Sequence, residues 1–351
     1  MKPARWPRSD ALSERLLWID PASGAFGDAT VEALTKLPRR GDLLVVNDAA
    51  TLPASLVGAT AEGTPLELRL VAREGDDDRV WRCVVFGAGD WRTKTELRAA
   101  PPPLPAGTQL RLGADLSASV VERLAPRLVT VRFDMSGDRL WSAIYRAGRP
   151  VQYSYLDGPL ELFHVQTSYA SRPWSVEMPS AGRPLKWSVL LGLRARGVGL
   201  ARVTHAAGLS STGDATLDAS LPWPERYDIP EETVDAVSAT RRSGGRVIAV
   251  GTSVVRALEG AARENRGELV AGAGRTNLVL GPGFVPRIVS GIFTGIHEAT
   301  ATHFALLQAF VGRPLLERAY AHAESVGYLG HELGDSCLIL DGVAASYPTS
   351  R

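Results

Sequence analysis

From about residue 58 to residue 146 the character of the chain changes, and one short strand pattern follows another, separated by turn signals. Residues 66–73 alternate, with Leu66, Leu68 and Leu70 set against Glu67 and Arg69, and 80–86, 108–112 and 128–135 also read as strands. Turn-forming clusters at 74–78, 87–90 and 100–107 separate them, and Pro101-Pro102-Pro103-Leu104-Pro105 is a stiff loop. Short strands punctuated in this way predict a small β-barrel or sandwich. Ahead of this region, 15–20 reads as a strand and 28–37 as a helix with Val31, Leu34 and Leu37 on one face. Residues 43–46 form a continuous apolar strand of the kind buried on both faces. It ends at Asn47-Asp48, either a turn former or a polar site.

Beyond the β-rich region the pattern turns to mixed helix and strand. Helices are expected at 184–196, 231–242, 253–266, 299–310 and 314–325, and strands at 198–204, 246–250 and 337–340. The strands of the first segment find helices to cover them only after about residue 180. The expected fold class is therefore an α+β or α/β main domain, residues 1–58 plus 146–351, with an inserted all-β, barrel-like domain at 59–145.

The 351 residues are 45% apolar and 22% charged, values of a soluble globular protein, which excludes a disordered chain, a fibre or a small disulfide scaffold. A net charge of +1 excludes a generally basic nucleic-acid binder, so any RNA contact must come from a local patch. No window of 18 apolar residues lacks a charge, so no membrane helix is expected. The basic N-terminus has no apolar segment behind it and does not read as a secretory signal. Cys83 and Cys337 stand apart with no CxxC or Cys/His cluster. This fits a cytoplasmic enzyme with free thiols and no metal.

The best local signal for chemistry runs from Gly245 to Glu259: strand, glycine turn at Gly251, hydroxyl residues Thr252 and Ser253, then helix. Thr252 or Ser253 could cap that helix, its free N–H groups could hold a carboxylate or phosphate, and Arg256 could reach the same face. An ordinary well-capped strand–helix junction would look the same. The stretch is neither a Walker A loop nor a GxGxxG fingerprint. Among six histidines, His297 and His303 are six apart, which is not the spacing of a helical metal pair. Asp335, after Gly334, reads as a turn residue or a site carboxylate.

Taken in order, the motifs resemble those of the S-adenosylmethionine:tRNA ribosyltransferase-isomerase family, the enzymes of queuosine synthesis. Gly41 to Asp48 is similar to the start of GDLLVVNDTRVIPARL, and Gly244 to Glu259 to GGRVIAVGTTSVRTLE. Ser180-Ala181-Gly182 resembles the start of TAGLHF. Gly281-Pro282-Gly283-Phe284 followed by Thr294-Gly295-Ile296-His297 resembles YPGY…TNFH, and Gly334-Asp335 with Leu338-Ile339 resembles GDAMLI. The resemblance implies an α/β domain with an inserted β-barrel. It implies transfer of the ribosyl part of S-adenosylmethionine, as co-substrate, to a 7-aminomethyl-7-deazaguanine (preQ1) in tRNA, with adenine and methionine released and no metal needed. On chemical fitness, the expected catalytic residues are His297, Asp48 and Lys186, the last standing where the family places a histidine. The expected S-adenosylmethionine-binding residues are Asn47, Gly251, Thr252, Ser253, Arg256 and Asp335.

Departures from the family pattern fall on polar positions. Ala49-Ala50 replaces Thr-Arg, Ser55 replaces a further Arg, and Glu298-Ala299-Thr300-Ala301-Thr302 replaces LPKST. Aligned on Gly208, His205 lies one place from the family's histidine. They leave two alternatives open: a diverged paralogue that uses S-adenosylmethionine with a small-molecule acceptor or simply cleaves it, and a non-catalytic binder on the same fold.

Overall fold

A computed structural model describes residues 1–297 and 302–345. Strands β1 (Arg15–Asp20), β2 (Ala25–Thr30) and β3 (Leu43–Asn47) open the chain. Strands β4 (Ser55–Thr60), β5 (Pro65–Arg73), β6 (Val80–Phe86), β7 (Gln109–Arg111), β8 (Ser117–Ala125) and β9 (Leu128–Phe133) follow. The main sheet resumes with β10 (Gly199–His205), β11 (Glu225–Ile229), β12 (Val247–Val250), β13 (Gly272–Thr276), β14 (Gly291–Gly295) and β15 (Ser336–Leu340). The longer helices are α1 (Gly137–Ala147), α2 (Trp187–Ala195), α3 (Glu231–Arg242), α4 (Thr252–Glu264), α5 (Thr302–Leu307) and α6 (Arg313–Ser325).

The nine-stranded sheet has the order β13-β11-β10-β3-β12-β14-β15-β1-β2. Its centre, β10-β3-β12-β14, is parallel, with Leu43 opposite both Gly199 and Val247. The apolar run in β3 is buried on both faces, as its composition predicts. Leu43 and Val45 pack with Val237 of α3 and Val254, Val255 and Leu258 of α4. Leu44 and Val46 pack with Val189, Leu190 and Leu193 of α2 on the other side.

The helix expected at 28–37 is not formed: Ala25–Thr30 is a strand and Val31–Lys36 a single 3-10 segment. Val31, Leu34 and Leu37 are fully buried, as expected of one face, but their strict three-residue spacing is the period of a 3-10 helix. Residues 299–301 of the expected 299–310 helix lie outside the described residues; α5 accounts for Thr302–Leu307.

The β-rich region closes into a six-stranded barrel, β8-β9-β6-β5-β4-β7, with every neighbour antiparallel. Its strands run from Ser55 to Phe133, so the first of them starts ahead of residue 59. Leu68, Cys83, Val85, Leu110 and Phe133 fill the core, against which Leu140 and Ile144 of α1 pack. The alternation in β5 does not separate core from solvent, because Glu67 and Arg69 are buried too. Arg69 Nε and Arg98 Nη1 each donate to Glu67 at 2.6 Å, a triad in which each buried charge has a partner. Where the chain leaves for the barrel, Ala49–Thr51 pairs in parallel with the returning Arg172–Ser175, tying the exit to the re-entry. Among the described residues no helix is long and apolar enough to cross a membrane.

Candidate active site at the strand ends

The carboxyl ends of β3, β10, β12 and β14 lie side by side, and β3 is where the topology switches. The chain adds β10 on one side of β3 and later β12 on the other. Ligands in open α/β sheets bind outside such ends. Asn47 pins this edge. Its Nδ2 donates to His205 O at 3.0 Å and to Ser253 Oγ at 3.4 Å, while its Oδ1 accepts from His205 N at 2.9 Å and Ala49 N at 3.1 Å. Asn47-Asp48 is therefore no turn: it fastens β3, β10 and the start of α4 together.

Gly251 turns β12 into α4 with φ 88 and ψ 157, a backbone region open essentially only to glycine. Its N–H donates to Phe293 O at 2.7 Å, and an added Cβ would stand 3.3 Å from the Ala181 Cβ. The cap differs from the one expected. Gly251 is the N-cap, with no side-chain capping bond, and Thr252 and Ser253 are the first two helical residues. The first-turn N–H groups thus remain available to an anion.

Arg256, one turn further on, pairs through Nη1 with Glu225 Oε2 at 2.6 Å and donates through Nε to Leu278 O at 3.1 Å. Among the described residues its buried Nη2 has no hydrogen-bond partner, nor has either ring nitrogen of His205, and His205 Nε2 lies 3.3 Å from Glu225 Oε2. Buried polar atoms are normally paired, so a group of unpaired ones marks a place prepared for a ligand. Burial, reinforced by Arg256, pushes the His205 imidazole down to about 3, so it is neutral. Burial raises Glu225 above the ordinary carboxylate range, and Arg256 and the Gly208 N–H only partly oppose this.

From Glu225 a series of neighbours returns to its starting point. The charge of Glu177 adds to the upward shift of Glu225, and burial raises Glu177 itself. Glu177 accepts from the Tyr153 hydroxyl and from Ser210 N at 2.9 Å. The Tyr153 ring stacks on Tyr155 with centroids 6.4 Å apart, and Tyr155 lies 4.7 Å from His331, which has left-handed backbone at φ 67. His331 is in electrostatic range of His297, and His297 stacks on His303 at 4.9 Å. His303 in turn feels the charge of Arg256. Burial lowers both imidazoles, His297 well below its ordinary value, with His303 and His331 adding to the effect. His297 Nε2 meets Thr294 Oγ1 at 2.8 Å.

The sequence-expected residues divide accordingly. Asn47, Gly251, Thr252, Ser253 and Arg256 converge, and His297 stands on the far rim of the same circuit. Asp48 is buried beside Asn47 but its oxygens are occupied by Thr204 Oγ1 at 2.5 Å, Ser171 Oγ at 2.8 Å and Arg202 Nη1 at 3.1 Å. Asp335 is likewise engaged, accepting from Arg8 Nη2 at 2.6 Å, Arg15 N at 3.0 Å and Leu329 N at 2.7 Å. Its carbonyl accepts from Ile296 N at 3.0 Å, so it places His297 through the backbone. Lys186 is exposed at the N-cap of α2, and no contact among the described residues joins it to Asn47, Ser253 or Arg256. Sequence reasoning missed Glu225, Glu177 and Tyr153, and weighed His303 only as a metal ligand. The alternation of Glu225 with Tyr227 and Ile229 in β11 was the one available signal for any of them.

Fold and site define an α/β protein with an inserted β-barrel and a polar, ligand-ready junction at its switch point. The family model for queuosine biosynthesis protein matches residues 2–339, and the chain belongs to that family. It is 33% identical to the S-adenosylmethionine:tRNA ribosyltransferase-isomerase of Trichlorobacter lovleyi, over 96% of both chains. It is 34% identical to the protein of that name from Azoarcus, over 96% of this chain and 93% of the relative. The crystal structure of an S-adenosylmethionine tRNA ribosyltransferase from Thermotoga maritima superposes with a TM-score of 0.53 at 25% identity, covering 96% of each chain.

Proposed function

We propose that this chain transfers the ribosyl part of S-adenosylmethionine to the aminomethyl group of a 7-deazaguanine in tRNA, forming epoxyqueuosine and releasing adenine and methionine. The observation that carries this reading is the 3.4 Å approach of Asn47 to Ser253, which joins the strand end and the glycine turn into one edge. The sulfonium acidifies the adjacent C5′ protons, and His297, neutral but weakened as a base by its burial, is the imidazole assigned to take one once the bound sulfonium has acidified it. Burial raises Glu225 and Glu177 above the usual carboxylate range, which suits one of them to pass a proton to the departing adenine. The unpartnered Arg256 Nη2 and the first-turn N–H groups of α4 receive the methionine carboxylate. Ser253 faces the ribose hydroxyls, held in place by Asn47, whose own side-chain donors and acceptors are taken up by His205, Ala49 and Ser253.

The family's cation after Asn-Asp is lost, but Arg172 stands opposite Ala49 in the paired ribbon and Arg202 holds Asp48 at 3.1 Å. Both guanidiniums are ion-paired, Arg172 with Asp228 and Arg202 with Asp48 and Glu232, so the lost cation has no unpaired replacement here among the described residues.

The test is incubation with S-adenosylmethionine and tRNA with or without the 7-aminomethyl-7-deazaguanine, with mass analysis of every product. Adenine and methionine are expected in equal amounts with the new tRNA nucleoside, and only when the deazaguanine is present. Adenine release that is indifferent to the tRNA would contradict the reading.

A further inference from the structure

A cleft of about 330 Å³ opens between barrel strands β5 and β6 and main-sheet strands β11 and β13. Arg73 and Trp81 line it from the barrel, and Trp174, Trp223, Arg226 and Arg275 from the main domain. Ala206 and Glu225 also line it, and they adjoin or belong to the site described above.

Its charge arrangement is costly for the isolated protein. Arg226 and Arg275 sit directly opposite each other on antiparallel β11 and β13, and like charges in that relation destabilise a sheet. Burial, with repulsion from Arg73, Arg275 and Arg172, brings the Arg226 guanidinium down to about 10. Three nearby carboxylates are already committed: Glu74 to Arg82 at 2.7 Å, Asp228 to Arg172, and Glu225 to Arg256. The Asp76 carboxylate stands at the rim, where only its backbone carbonyl meets Arg73, at 3.3 Å. Among the described residues no carboxylate pairs with Arg73, Arg226 or Arg275. The Arg226 guanidinium lies 3.6 Å from the centroid of Trp174, leaving a flat aromatic and cationic platform.

Unneutralised guanidiniums beside the half-buried Trp174 and Trp223 suit a phosphodiester backbone whose bases are unstacked. A double helix does not fit a space of this volume, whereas a splayed nucleotide does. We propose that this arginine–tryptophan cleft holds the single-stranded RNA flanking the modified nucleoside, with phosphates on Arg226, Arg275 and Arg73 and a neighbouring base on the Trp174 platform. The assignment rests on the ribosyl-transfer reading and adds to it the surface that presents the acceptor.

The experiment compares the wild-type protein with Arg226→Ala/Arg275→Ala, Arg275→Ala alone, and Arg241→Ala on α3 as a distant control. Affinity for preQ1-containing tRNA is measured across a salt series, S-adenosylmethionine affinity by calorimetry, and Tm without ligands. The double variant is expected to bind tRNA at least tenfold more weakly. Loss of two phosphate contacts is expected to make its salt slope shallower by about 1.4. Its S-adenosylmethionine affinity should stay within twofold of wild type and its Tm should be unchanged or higher, since a repulsion has been removed. Arg275→Ala should show a smaller change in the same direction, and Arg241→Ala none. Unchanged tRNA affinity and salt slope in the double variant would overturn the cleft assignment while leaving the ribosyl-transfer reading intact. A joint fall in tRNA affinity, S-adenosylmethionine affinity and Tm would make the arginines structural and overturn it as well. Wild-type protein that binds S-adenosylmethionine but no tRNA would overturn both.

Discussion

His205 is the residue whose placement runs most against simple alignment. One place off the family's motif position, it nevertheless ends β10 between Asn47 and Glu225, with its imidazole neutral. Its folded value of about 3 lies below the ordinary 6.5, so between those values the unfolded chain takes up a proton that the folded chain refuses. Its contribution to stability is complete above the unfolded value and is lost as pH falls toward the folded one. For one proton that is roughly 2 kcal/mol between about pH 6.5 and 5. Urea unfolding at pH 7 and pH 5 should show a pH dependence that His205→Gln makes shallower by about that amount. Identical pH dependence in the two proteins would place the titration elsewhere. At this scale the sequence was half legible. Asn47, Ser253 and Arg256 lie in long motifs, with Asn47 bonded to Ser253 and Arg256 one turn further along α4, whereas Glu177 and Glu225 come from other segments of the chain. Asp48 and Asp335 were recognisable as notable carboxylates, but the sequence could not reveal that other donors occupy their oxygens.

At the scale of elements, α4 does more than present its first turn. Glu259, buried in its middle, accepts from the N–H groups of Arg287, Ile288 and Val289, each at 2.9 Å, in the segment that leads into β14. β14 ends two residues before His297, so this carboxylate couples the two sides of the site through the sheet. Glu259→Ala would strand three backbone donors away from water, at about 1–3 kcal/mol each when unsatisfied, so a loss of at least about 3 kcal/mol is expected in denaturant unfolding. A cost below about 1 kcal/mol would show that the segment holds without it. Elements with a strong hydrophobic period were readable: Arg15–Asp20, Val80–Phe86 and Glu231–Arg242 form with the expected bounds. β4 and β8 were not, because Ser55–Thr60 and Ser117–Ala125 carry exposed apolar residues (Val57, Val121, Leu124) and blur the alternation. Val31–Lys36 was read as an α-helix because a spacing of three satisfies both helical periods over so short a span.

For the whole molecule, the arrangement follows from where the barrel is inserted. It leaves the main sheet just after Asn47, at the end of the switch-point strand, and returns through the ribbon that pairs with Ala49–Thr51. The barrel is thereby held over the strand ends, and the near-zero net charge of the chain conceals a cationic cleft between the two parts. The account stands on one location, the edge where Asn47 meets the glycine turn of α4. A crystal structure of the protein with S-adenosylmethionine bound tests it most directly. The account predicts the methionine carboxylate on Arg256 and the first-turn N–H groups, with the sulfonium between Asn47 and His297. Density for the nucleoside on the opposite face of the sheet beside Lys186, or in the arginine–tryptophan cleft, would contradict it.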